Sequence, residues 1–194
     1  MSHFRLPPKS EIPPVPIVVP PKTLFALIDF QPSTFSGVHS IDLTTLLNNV
    51  QIVALTAKIF KCDYLLTNIA TAEFSGPISP EIQAIFPYYT PIERTEINSW
   101  INPIFQYIVK NSGCKRIVVC ALWTSICAAF PVLDMLKEGY EVMIVVDACG
   151  DLSLDIHNIA VQRMIQAGAI PVTAFALMCE YQQDWARKET YNDV

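Results

Sequence analysis

The sequence predicts an α/β fold, a mostly parallel sheet with helices on both faces. Short apolar runs alternate along the chain with stretches of helical spacing, which is the pattern of successive βαβ units. Runs such as Arg116-Ile-Val-Val-Cys-Ala-Leu122 are almost continuously apolar, as strands covered on both faces are. A length of 194 residues is also a natural size for one such domain.

Residues 1–22 hold seven of the fifteen prolines. Proline fixes φ and removes an N–H donor, so this arm reads as extended, lying on a surface such as a neighbouring subunit or free as a tail. The domain proper is expected over residues 23–194. Thr23–Ile28 is a buried-strand run that ends at Asp29. From Ile41 to Phe60, apolar residues at 43, 46, 47, 50, 53 and 54 have helical spacing. Asp63–Thr67 reads as a second strand, followed by a loop containing Gly76-Pro77 and Pro80. Tyr88–Ile92 reads as a short third strand. Asn102–Asn111 is a helix with Pro103 in its first turn. Ile117–Leu122 is a strand, and Cys127–Lys137 a helix ended by Gly139. Glu141–Val146 is the next strand. In Leu154–Ala167, Ile156, Ile159, Ala160 and Met164 share an apolar helical face, with His157 on the polar side. Ile170–Ala174 is a last strand and Leu177–Arg187 a last helix.

Hydrophobic residues make up 52% of the chain and charged residues 16%. That leaves a surplus of apolar surface, which predicts a homo-oligomer. The net charge of −5 provides no basic stripe for nucleic acid. No run of about 18 apolar residues offers a membrane span, and the proline-interrupted N-terminus lacks a signal-peptide core. Six cysteines without a C-x-x-C pair, in a chain rich in core, point to a reduced, cytoplasmic setting. Glycine-rich phosphate loops and a G-x-S-x-G elbow are absent, and the three histidines have no metal-cage spacing. No metal and no cofactor are expected.

In a parallel sheet of this kind the site lies at the carboxyl ends of the strands. Asp29 ends the first strand, Thr67 the second and Asp147 the fifth, while Cys127 follows the fourth. A cysteine at a strand-to-helix junction meets outward-pointing N–H groups that lower a thiol's pKa, so Cys127 is a candidate nucleophile; a buried cysteine acting as a small hydrophobe is the alternative. Asp29, between large apolar groups, is either a loop cap or a carboxylate raised by burial for proton transfer. Arg94 is either a cation beside the thiol or a solvated partner of Glu93 and Glu96.

Several segments, in order, resemble the isochorismatase-like cysteine hydrolases, and within them the YcaC-like subgroup. They are Ala26-Leu-Ile-Asp-Phe-Gln31, Arg94-Thr-Glu-Ile-Asn-Ser-Trp100, Leu122-Trp-Thr-Ser-Ile-Cys-Ala-Ala-Phe-Pro131, Glu138-Gly-Tyr-Glu-Val142, Val146-Asp-Ala-Cys-Gly150, Ala160-Val-Gln-Arg-Met-Ile-Gln-Ala-Gly-Ala169 and Met178-Cys-Glu-Tyr-Gln-Gln-Asp-Trp185. Together they span about residues 23–187. The resemblance implies a three-layer αβα sandwich, a doubly wound sheet, and a triad of Asp29, Arg94 and Cys127. It implies a non-proline cis peptide at Trp123-Thr124 and a multimer, commonly an octamer.

The implied reaction is hydrolysis of a small amide-like C–N substrate through a Cys127 thioester. Asp29 takes the thiol proton, and the backbone N–H groups of Thr124 and Cys127 hold the oxyanion. Phe30, Thr67, Asn98, Trp100 and Trp123 become pocket candidates, with packing the alternative for the two tryptophans. The Asp-x-His metal ligands of nicotinamidases are missing after Asp29, and Ser125 stands where relatives usually carry an acidic residue. The competing expectation is an oligomeric interaction protein that keeps the fold with little turnover.

Overall fold

The computed structural model describes residues 22–194, so the proline-rich arm lies outside the described residues except for Lys22. Six strands form one sheet: β1 (Thr23–Ile28), β2 (Asp63–Ile69), β3 (Ile92–Arg94), β4 (Arg116–Ala121), β5 (Glu141–Val145) and β6 (Ile170–Val172). Their order is β3-β2-β1-β4-β5-β6, and every pairing is parallel. The sequence direction reverses between β1 and β4, which leaves a crevice beyond their carboxyl ends. All six residues of β1 and five of the six in β4 are buried, as central strands covered on both faces must be.

Among the described residues seven α-helices accompany the sheet: α1 (Pro32–Ser36), α2 (Leu43–Ile59), α3 (Pro80–Ile85), α4 (Pro103–Ser112), α5 (Ala129–Lys137), α6 (Leu154–Gln166) and α7 (Ala174–Gln182). Right-handed crossovers from β1 outward to β3 send α2 and α3 to one face. Those from β3 through β4 and β5 to β6 send α4, α5 and α6 to the other. The packing agrees: α2 contacts α3 and α7, while α5 contacts α6. Local chemistry sets the ends. Asp42 caps α2 by accepting from the Thr45 N–H at 2.9 Å, and Asn102 caps α4 ahead of Pro103. Gly113 ends α4 at φ 70°, a left-handed conformation that glycine adopts without steric cost.

The fold class and the parallel sheet agree with the sequence reading, with local corrections. The loop expected after β2 contains a π-helical turn, Thr71–Ser75, and α3, which starts on Pro80. The third strand is Ile92–Arg94 and not Tyr88–Ile92, because its partners are Thr67, Asn68 and Ile69 at the extended end of β2. Tyr88 is fully exposed. The helix expected from Cys127 begins at Ala129, after a π-helical turn over Thr124–Ala128 that contains the cysteine. On α6 the buried face is His157, Ala160 and Met164; Ile156 and Ile159 are 38% and 67% exposed. The helix is rotated from its apolar pattern because His157 has a polar partner inside, described below.

Candidate active site

Asp29 directly follows β1 at φ 62°, a left-handed conformation that aspartate tolerates better than most residues. Hydrogen bonds hold the turn. The Asp29 N–H donates to the Thr67 carbonyl at 3.1 Å, and the Asp29 carbonyl accepts from Thr34 Oγ1 at 2.6 Å and from the Gln31 N–H at 3.0 Å. The Asp29 carboxylate is buried. Oδ1 accepts from Thr67 Oγ1 at 2.7 Å, and Oδ2 pairs with Arg94 Nη2, both side chains being fully excluded from solvent. Arg94 also donates through Nη1 to the Glu96 and Ile97 carbonyls. Glu93 instead binds Thr71. Arg94 is therefore buried and paired with Asp29, not solvated.

The Cys127 thiol lies close enough to the Asp29 carboxylate for its charge and hydrogen bonding to act on the thiol. Asp29, Arg94 and Cys127, drawn from the ends of three strands, therefore meet in one buried cluster. Burial raises the Asp29 carboxyl above its ordinary value, opposed chiefly by the charge of Arg94. The thiol is pushed up to about 12, first by burial and then by the charge and hydrogen bond of Asp29; Arg94 and a backbone hydrogen bond from Trp123 oppose the rise. The expected lowering by helix N–H groups is overturned, because desolvation and a neighbouring anion outweigh them. A protonated thiol beside a carboxylate is an arrangement in which proton transfer to the carboxylate can activate the sulfur.

The cis peptide lies at Leu122-Trp123, one bond before the expected Trp123-Thr124. The Thr124 N–H donates to the Gly150 carbonyl at 2.9 Å, so it is already engaged and does not serve as a free oxyanion donor. The Thr124 hydroxyl meets the same carbonyl at 3.0 Å and His157 Nδ1 at 2.8 Å. His157 is buried, its pKa lowered by desolvation against the pull of Asp151. Asp151, also buried, accepts from the Ser125 N–H at 2.7 Å and fixes the start of the turn that carries Cys127. Sequence reasoning missed this support. A lone histidine on an amphipathic helix reads as polar surface unless its partner, 33 residues away in sequence, is known.

The cysteine opens onto a cavity of about 330 Å³ lined by Ser33, Thr34, Ile69, Phe74, Ile97, Leu122, Trp123, Ile126 and Cys127. Of the five expected pocket residues only Trp123 lines it, anchored by its Nε1–H donating to the Thr34 carbonyl at 2.9 Å. Phe30 is fully buried against Phe35. Thr67 is spent on Asp29. Asn98 caps the turn Ser99–Ile101 and donates to Asp134 at 2.8 Å. Trp100 packs edge-on against Phe105 and Tyr140, the packing alternative. The cavity wall comes instead from Phe74 and Ile97 in loops. Gln31 positions the first of these loops: its Oε1 accepts from the Ile69 N–H at 2.7 Å, and its Nε2 donates to the Gly76 carbonyl at 2.6 Å. Among the described residues no three His, Cys, Asp or Glu converge as a metal site, and no helix is long and apolar enough to cross a membrane.

Comparison with known proteins agrees with this architecture. The isochorismatase domain model matches residues 23–175. The chain is 36% identical over 160 residues to the probable hydrolase YcaC of Escherichia coli, covering 82% of this chain and 77% of that protein. An Escherichia coli YcaC structure, described as an octameric hydrolase of unknown specificity, superposes with a TM-score of 0.85 at 34% identity, covering 92% of this chain and 89% of that one. A structure of YcaC from Pseudomonas aeruginosa with hexane-2,5-diol and covalent acrylamide gives 0.82 at 33% identity, covering 84% and 82%. The chain belongs to the isochorismatase-like hydrolase family.

Proposed function

We propose that the protein is a metal-independent cysteine hydrolase of small amide-like C–N substrates. The observation that carries this reading is the contact of the Cys127 thiol with a buried carboxylate that is itself paired with Arg94, beside a cavity open to the cysteine. In the forward step Asp29 takes the thiol proton while sulfur attacks the carbonyl carbon. Arg94 offsets the negative charge in a low-dielectric setting where that interaction is strong. Collapse of the tetrahedral intermediate expels the amine, which leaves with the proton held by Asp29. Water then gives up a proton to Asp29 and attacks the thioester, releasing acid and thiol. With the Thr124 N–H engaged, the Cys127 N–H is the remaining expected oxyanion donor. The covalent acrylamide on the Pseudomonas aeruginosa relative supports a reactive centre open to small amide-bearing electrophiles in this fold.

The same reading includes a homo-oligomer. The octameric Escherichia coli relative supports it, as do Ile97, Ile101, Ile104 and Tyr107, each more than half exposed along one short stretch of chain. Purified protein assayed against a panel of small amides tests the reaction. Hydrolysis that disappears in Cys127→Ala while oligomeric state and melting are kept is the expected result; equal hydrolysis in the variant rejects it.

A further inference from the structure

The cavity beside Cys127 is unusual for what its wall withholds. Phe74, Ile97, Leu122, Trp123 and Ile126 present hydrocarbon and aromatic surface. Of the two hydroxyls in the wall, Thr34 Oγ1 is held by the Asp29 and Gln31 carbonyls at 2.6 and 2.8 Å, while Ser33 Oγ has no hydrogen-bond partner but exposes almost no surface. The nearby cation, Arg94, is only 3% exposed and already paired with Asp29. A separate cleft is lined by Arg94 together with Glu73, Glu93 and Glu96. Glu73 and Glu96 directly adjoin the wall residues Phe74 and Ile97 in sequence. A carboxylate-bearing ligand would lose its hydration in the cavity and find no cation among the wall residues in return.

Resting on the hydrolase reading, we propose that this cavity selects an uncharged, largely apolar acyl or amide compound and rejects anionic ones. The volume sets the size. At about 30 Å³ per water-sized group, 330 Å³ holds roughly ten non-hydrogen atoms. The polar end of such a compound sits at Cys127, and its apolar remainder against Phe74, Trp123 and Ile126.

Alkylation of the full-length protein tests this without any turnover. Iodoacetamide, the larger apolar iodoacetanilide and anionic iodoacetate are compared by peptide mapping at Cys127, with half-buried Cys179 as the internal reference. The amide-to-acid rate ratio is expected to be at least about tenfold higher at Cys127 than at Cys179, a gap of about 1.4 kcal/mol. Iodoacetanilide is expected to outrun iodoacetamide at Cys127 only. Ile126→Lys, which places a cation in the wall, is expected to move the ratio towards iodoacetate. Equal ratios at the two cysteines, or no labelling of Cys127 by any reagent, overturn the proposal, and the native protein decides alone if the lysine variant does not fold. Selective labelling without hydrolysis of any amide upholds the cavity preference while rejecting the reaction assigned to it.

Discussion

Replacing Asp29 by asparagine should make Cys127 more acidic and the enzyme less active. In the native protein the thiol is pushed up to about 12, with burial the largest cause and the charge and hydrogen bond of Asp29 the next two. At pH 7 such a thiol is held in its protonated form. The amide keeps the shape of the side chain but removes both contributions of the carboxylate, while those of Arg94 and the Trp123 backbone remain. The pKa must then fall, and each unit of fall raises the thiolate fraction about tenfold. Turnover should nevertheless drop by about 10²- to 10⁴-fold, the usual contribution of a general base, because nothing returns a proton to the leaving amine or takes one from water. The variant also strands the Arg94 charge, at a cost of about 3–5 kcal/mol, so its folding is checked first by circular dichroism. The assay is the rate of Cys127 alkylation by iodoacetamide as a function of pH. A midpoint that stays in place or rises in Asp29→Asn refutes the reasoning, as it would mean that Asp29 does not hold the proton on the thiol.

Arg94→Ala leaves the Asp29 carboxylate buried without its cation; chemical denaturation should show a loss of about 3–5 kcal/mol, and a loss below about 1 kcal/mol contradicts the pairing. Cys127 has a raised folded-state value, so its contribution to stability is complete below the ordinary 9.0 and is lost as pH rises towards about 12. Cys127→Ala should therefore lose less stability than the native protein across that window, and parallel curves would argue against a buried, protonated thiol. Gly37→Ala would put a Cβ 2.5 Å from Trp123 Cζ2, so Trp123 must shift and deform the cavity. A destabilisation of about 1–3 kcal/mol with a changed tryptophan emission is expected. Thr124→Val removes the hydroxyl that meets His157 Nδ1 and the Gly150 carbonyl; a cost of about 1–3 kcal/mol is expected, and an unchanged melt would mean that this network is dispensable.

The sheet was legible because its strands are apolar runs separated by helical periods, a signal carried by neighbouring residues. The clustering of Asp29, Arg94 and Cys127 was legible for a different reason. Position at the carboxyl ends of strands nominated Asp29 and Cys127, but each also had a structural reading, and the family motifs drew Arg94 to them. What could not be read is what depends on distant contacts. Desolvation of the thiol is a property of the assembled core, so the local rule of helix N–H groups gave the wrong sign. The pocket was misassigned because aromatic residues near the motifs, Phe30 and Trp100, fill the core, while the wall is built by Phe74 and Ile97 in loops that carry no periodic pattern. Gln31 stood inside a quoted motif, yet its role as a clamp on the Phe74 turn requires knowing where residues 69 and 76 lie. His157 was hidden in the same way, its partner Thr124 being on another element.

The central claim is that Cys127 becomes acylated during hydrolysis. The direct measurement is rapid acid quenching of the native protein with a small, uncharged anilide, followed by mass analysis of the peptide carrying Cys127. An acyl group on Cys127 that forms and decays with product release, and that vanishes together with hydrolysis in Cys127→Ala, is the predicted result. Hydrolysis that survives undiminished in Cys127→Ala, or an acyl group carried by another residue, would contradict it.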